Sequence, residues 1–195
     1  PIANKSDFVM SMLDFMAAGM QVDPAAKSVV DRCIRHIYRP YIEAITKRTD
    51  GVTCDPDICP TLGDLYHELA SQGTDLAESV CTYLEMYAVG SFKTFARRTN
   101  LKTNSRFVVY DISGLTSGQR PLGLHICIND VWNRMIENSR KNVSTWFYID
   151  EFHILLNSDN ATGFLNKVWK MARKWLGVPT AIIQNTEGLL RSRET

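Results

Sequence analysis

From Arg106 onward, short β-branched and aromatic runs alternate with long helical patterns, and this order constrains the fold more than any other feature. Phe107-Val-Val-Tyr-Asp-Ile112 reads as a first strand, closed by Gly114. Leu124, Ile128, Val131 and Met135 recur at helical spacing over about Pro121 to Asn138. Trp146-Phe-Tyr-Ile149 reads as a second, buried strand, followed by a helix over about 161–175 that buries Phe164, Leu165, Val168 and Ala172. Pro179-Thr-Ala-Ile-Ile-Gln184 is a third strand, and a last helix starts near Glu187. Strands and helices in strict alternation call for a parallel sheet with right-handed crossovers.

Residues 1–100 show no strand-like alternation. Asp7 precedes an apolar face of Phe8, Val9, Met12, Leu13, Phe15 and Met16, which ends near Gly19. Asp23-Pro24 supplies an N-cap with proline at the first helical position, ahead of a stripe of Val30, Cys33, Ile34, Ile37, Tyr38, Tyr41 and Ile45. Pro40 is expected to kink or divide that helix near Arg39. Thr61-Leu-Gly-Asp64 has the layout of a capping box with Asp in place of Glu, and a further helix covers about 74–89. The fold class expected is α/β plus all-α: an all-helical subdomain over 1–104, and a parallel sheet of about three strands over 105–195.

Composition narrows the function classes. The chain is 45% hydrophobic with a formal charge of +1, so it can build a core and carries no dominant basic footprint for nucleic acid. Residues 1–100 hold 10 Lys/Arg against 13 Asp/Glu, whereas 101–195 hold 12 against 8. The five scattered cysteines fit a reducing compartment, and Cys54 and Cys59 lack the second ligand pair of a zinc site. No apolar run approaches a membrane span. Both ends read as cut from a longer protein.

The sharpest chemical signal is Asp150-Glu151, two carboxylates at the end of an apolar strand and so at the carboxyl edge of the sheet, where α/β ligands bind. In a nucleotide motor the first carboxylate helps hold a hydrated magnesium ion and the second polarises the attacking water. The plain alternative is that Asp150 caps the next segment and Glu151 is solvated. Gln184 ends the next strand and could sense a terminal phosphate there, or make an ordinary turn. Asp150-Glu-Phe-His153 also has the Asp-Glu-x-His layout of helicases, although a lone histidine after a strand is more often packed or capping. Lys167, Lys170 and Lys174 follow helical spacing, with Arg173 adjacent, and could meet phosphate, an acidic neighbour or only solvent. Arg191 and Arg193 lie past the third strand, where a subunit-spanning arginine could reach a neighbour's nucleotide. Asp111 ends the first strand, where a turn role is favoured over membership of the acidic cluster. No Gly-x-x-x-x-Gly-Lys-[Ser/Thr] loop occurs, so the backbone cradle and lysine that hold phosphates are missing from this sequence.

Asp7-Phe-Val-Met-Ser-Met-Leu-Asp-Phe-Met16, Arg32-Cys-Ile-Arg-His-Ile-Tyr-Arg-Pro-Tyr41, Phe95-Ala-Arg-Arg-Thr-Asn100, Arg106–Ile112, Trp146–Glu151, Ala172-Arg-Lys-Trp175, Gln184-Asn185 and Leu189–Ser192 together resemble conjugative-transfer ATPases. These are type IV secretion motors of the TraC/TraE type, carried by conjugative transposons. The resemblance implies a partial RecA-like core with Asp150 as the Walker B aspartate, contacting Mg2+ through water, Glu151 as the catalytic glutamate and Gln184 as the sensor. It places Arg173, Lys174 and Arg191 near nucleotide or across a subunit boundary. For the full-length protein it implies ATP and Mg2+ as cofactors, a homo-hexamer, secretion-channel proteins and DNA as partners, and a cytoplasmic position that extends to the inner face of the plasma membrane. The chain by itself, without the phosphate loop, is expected to hold no cofactor tightly and to be inactive. In such a sheet the phosphate-loop strand borders the strand ending in Gln184, so Thr180–Ile183 is expected to be an exposed edge that invites self-association. A non-catalytic helical interaction module and a helicase-type ATPase stay open as alternatives.

Overall fold

The computed structural model describes residues 2–17, 22–48, 55, 57–98, 105–152 and 159–183, with the side chains of 2–4, 159–164 and 167 outside that description. The chain divides into two compact units, Pro1–Val109 and Tyr110–Thr195. The described residues contain no helix long and apolar enough to cross a membrane.

The first unit is helical: α1 (Ile2–Met16), α2 (Pro24–Thr46), α3 (Leu62–Ser71), α4 (Asp75–Ala88) and a 3-10 turn, Lys93–Ala96. Local chemistry starts these helices. The Asp23 carboxylate accepts the Ala25 N–H at 2.7 Å beside Pro24. Thr61 and Asp64 close the reciprocal box, the Asp64 carboxylate accepting the Thr61 N–H at 2.7 Å and the Thr61 hydroxyl accepting the Asp64 N–H at 3.3 Å. Thr74 caps α4 through the Ala77 N–H. The apolar stripes then meet: Leu13, Val30, Cys33, Ile34, Leu65, Leu69, Val80 and Leu84 are all buried. Pro40 does not divide α2, which continues through it as one helix. Pro40 and His36 both face solvent, so the His36 carbonyl that loses its helical donor stays accessible to water.

The second unit contains α5 (Arg120–Arg140), β1 (Thr145–Ile149), α6 (Asp159–Ala172), a 3-10 turn (Arg173–Trp175) and β2 (Gly177–Ala181). β1 and β2 pair in parallel, from Thr145 opposite Gly177 to Ile149 opposite Ala181. Alternation splits the sheet into two faces. Phe147 and Ile149 join Ile128, Met135, Leu165, Val168 and Ala172 in a core built on α5 and α6. The other face presents Trp146 (64% exposed), Tyr148 (62%) and Ile182 (46%). Asn142 takes the left-handed conformation after α5, and Asn138 Nδ2 bonds Thr145 Oγ1 at 3.0 Å, joining helix end to strand start.

The expected sheet of about three strands is therefore corrected to two among the described residues. Residues 107–112 are not a strand. Phe107 is 81% exposed and Val109 72%, and no described strand lies alongside to satisfy the backbone, so β-propensity alone does not build one. This segment instead spans the division between the units. Tyr110 is fixed by its hydroxyl, which donates to the Asp130 carboxylate on α5. Burial, and after it that hydrogen bond, pushes the Tyr110 phenol up to about 12.

Candidate functional site at the carboxyl end of β1

β1 ends at Ile149, and the next two residues are the paired carboxylates. Asp150 is exposed and Glu151 half-buried. Glu151 adopts φ 50°, in the left-handed region that an L-residue enters at a cost. Its N–H donates to Asp150 Oδ1 at 2.9 Å, which ties the two residues into one turn. Directly after it, the Phe152 N–H donates to the Ile182 carbonyl at 3.1 Å, and the Ile182 N–H donates back to Ile149 at 2.8 Å. The carboxylates thus sit on a hydrogen-bonded strand end, at the edge of a parallel sheet where α/β proteins bind ligands. A pair of accessible carboxylates there fits an ion held through its water shell. Among the described residues no cluster of three or more His, Cys, Asp or Glu side chains could hold a metal directly.

The other expected site residues are distributed differently. Arg173 and Lys174 are exposed and lie in the 3-10 turn that leads through Trp175 and Leu176 into β2. Because the strands are parallel, these residues lie at the amino edge of the sheet, about 16 Å along the strands from the carboxyl edge. Lys174 Nζ stands 5.4 Å from the Trp175 ring centroid. Within one copy of the chain, the structure does not bring these basic groups together with Asp150 and Glu151. Asp111 forms a local turn, its Oδ1 accepting the Ser113 N–H at 2.8 Å, and those Ser113 hydrogen bonds hold its carboxyl below the usual range. His153, Gln184, Arg191 and Arg193 lie outside the described residues, as does the side chain of Lys167.

Two residues not singled out in the sequence border this site. Phe152 packs on Trp169 of α6 with ring centroids 5.2 Å apart, and Trp169 also meets Phe147 edge-on at 5.9 Å. Their aromatic identity was visible, but not the contact that joins them across the crossover. A separate open groove of about 480 Å3 lies in the helical unit against Ile37, Pro60, Asp64, His67, Glu68 and Arg98. Its polar groups are largely committed to structure: Glu68 pairs with His36 at 2.8 Å, and Asp64 closes the capping box.

No protein-family model matches this sequence, and no curated protein matches it. The fold, however, is shared with a solved structure, VirB4 of Thermoanaerobacter pseudethanolicus, at a TM-score of 0.76 and 20% sequence identity. The match covers 96% of this chain and 51% of that one, so the chain spans about half the length of the structure it resembles.

Proposed function

We propose that this chain is part of a P-loop ATPase motor that powers conjugative DNA transfer through a type IV secretion system. The observation that carries this reading is the Asp150–Glu151 pair at the carboxyl end of a parallel strand, in a chain whose helical and α/β units both fall within the fold shared with VirB4. The resemblance to conjugative-transfer ATPases read from the sequence supports the same assignment. In the complete motor, ATP with Mg2+ supplies the phosphoanhydride to be cleaved. Asp150 would hold the ion through water, and Glu151 would polarise the attacking water. Gln184 senses the terminal phosphate.

The parallel topology supports a role in trans for the basic residues. At the amino edge, Arg173 and Lys174 cannot reach the carboxylates of their own copy, so they serve a neighbouring subunit of a homo-hexamer, as does Arg191. Secretion-channel proteins and DNA are the partners of the assembled motor, at the cytoplasmic side of the membrane. The phosphate loop is not in this sequence, and the chain alone does not turn over ATP.

Glu151→Gln in the full-length protein tests the assignment: ATP binding is expected to persist while turnover falls to background. Normal turnover in that variant removes Glu151 from the mechanism. A reading frame with no Gly-x-x-x-x-Gly-Lys-[Ser/Thr] loop upstream of Pro1 sinks the motor in favour of the module.

A further inference from the structure

The hydrogen-bond ladder between β1 and β2 slips by one residue at the candidate site. Thr145 N–H bonds the Leu176 carbonyl, and the register carries this pattern in steps of two to Ile149, which accepts from Ile182. The next donor to β2 should be Glu151, bonding the Ile182 carbonyl. That carbonyl is instead taken by the Phe152 N–H. Just past the end of β1, the next bonded donor thus comes one residue later than the register calls for, and Glu151 before it has a left-handed φ, as the first residue of some bulges does.

The slip exchanges faces. Along β1 the odd-numbered residues, Phe147 and Ile149, face the core under α5 and α6. Unbroken alternation would send Glu151 into that core and Phe152 to the open face. With the extra residue, Phe152 takes the core-facing place against Trp169, and the glutamate is released from it. A carboxylate in that aromatic core would be desolvated without a charged partner there.

We propose that residues 150–151 form a bulge, and that Phe152 is a positioning residue whose seat on Trp169 holds Glu151 off the helix-covered face, at the sheet edge. This rests on the reading of Glu151 as the residue that activates water. It extends that reading by naming what sets the glutamate's backbone. Two independent anchors maintain the left-handed turn: the Phe152–Ile182 backbone bond with the Phe152–Trp169 ring contact on one side, and the Asp150 carboxylate on the Glu151 N–H on the other.

Two measurements test it and fail separately. The first is thermal unfolding of the chain carrying Glu151→Gly or Glu151→Ala. At an extended position glycine is the less stable of the two, whereas at a left-handed one it is the more stable. The glycine variant is expected to melt about 2–4 °C above the alanine variant. Equal melting, or the reverse order, overturns the bulge whatever the catalytic role of Glu151. The second is steady-state kinetics of Phe152→Ala and Phe152→Tyr in the full-length protein. The alanine variant is expected to lose roughly 100-fold in kcat with KM for ATP unchanged, and the tyrosine variant to recover most of that loss. A Phe152→Ala protein with unchanged kcat overturns the positioning role. If Phe152→Ala fails to fold, Phe152→Leu takes its place, with an intermediate loss of kcat expected and wild-type kcat overturning the role. Normal turnover in Glu151→Gln would overturn the positioning role by removing its catalytic premise, while the melting order alone still decides whether the bulge exists.

Discussion

His125 lies on α5 with 3% of its surface exposed, and burial pushes its imidazole down to about 4. In the unfolded chain a histidine titrates near 6.5, so between about 6.5 and 4 the unfolded state binds the proton that the folded state refuses. The stability from burying a neutral imidazole is therefore full above that window and is lost as pH falls through it. Going from pH 7 to pH 5 should cost about 2 kcal/mol through this one residue. Urea unfolding of the wild type and of His125→Gln at the two pH values checks the claim. The non-titrating variant should show a visibly flatter pH dependence, and parallel curves would reject it. Asp150 and Glu151, unlike His125, are accessible from solvent at the sheet edge.

At the scale of elements, β2 fits its neighbours through the absence of a side chain. A Cβ on Gly177 would overlap Met135 Sδ and stand 3.2 Å from Ala172 Cβ, so the strand can start only where α5 and α6 leave room for bare backbone. Gly177→Ala should destabilise the chain by about 1–3 kcal/mol through overpacking, and Met135→Ala in the same chain should return part of that loss. An unchanged melting temperature in Gly177→Ala would refute the close approach. This fit also explains what the sequence could and could not reveal. Helix starts at Asp23-Pro24 and Thr61–Asp64 are written in adjacent residues, and so is the apolar strand that ends in Asp150-Glu151. The fate of 107–112 was not, because a strand needs a partner that its own residues do not encode. Pro40 breaks a helix or is tolerated according to which side meets solvent, and only the packing of α2 decides that. β2 begins at Gly177, two residues earlier than its β-branched run suggests, because the turn through left-handed Leu176 and the contact with Met135 set it. The bulge was hidden for the same reason: the choice between Glu151 and Phe152 for the core place is made by Trp169 on the next helix. The separation of Arg173 and Lys174 from the carboxylates, by contrast, was implicit in a parallel arrangement and needed only the register to become visible.

At the scale of the molecule, no described strand flanks the two-stranded sheet on either outer edge, and the two edges are not equivalent. On β2 the residues bonded to β1 are Val178, Thr180 and Ile182, so the nitrogen of Pro179 faces outward. That edge lacks a donor at its centre, a feature that resists pairing with another strand. The expected vulnerability at Thr180–Ile183 is thus blunted by the residue just before it. The outer edge of β1 has no such interruption: Trp146 and Tyr148 direct their N–H and C=O groups away from β2, and their side chains are 64% and 62% exposed. Aromatic surface beside an open ladder should make the isolated chain self-associate through β1 at micromolar concentrations. Tyr148→Pro discriminates this from diffuse hydrophobic clustering. The Tyr148 nitrogen takes no part in the β1–β2 ladder, so proline there removes an outward donor while the pair with β2 keeps its bonds. Sedimentation velocity should show the wild-type chain growing heavier with concentration and Tyr148→Pro remaining monomeric, with Trp146→Lys intermediate. A wild-type chain that sediments as a monomer throughout would mean that the β1 edge is shielded, and association equal in all three proteins would move the contact away from this sheet.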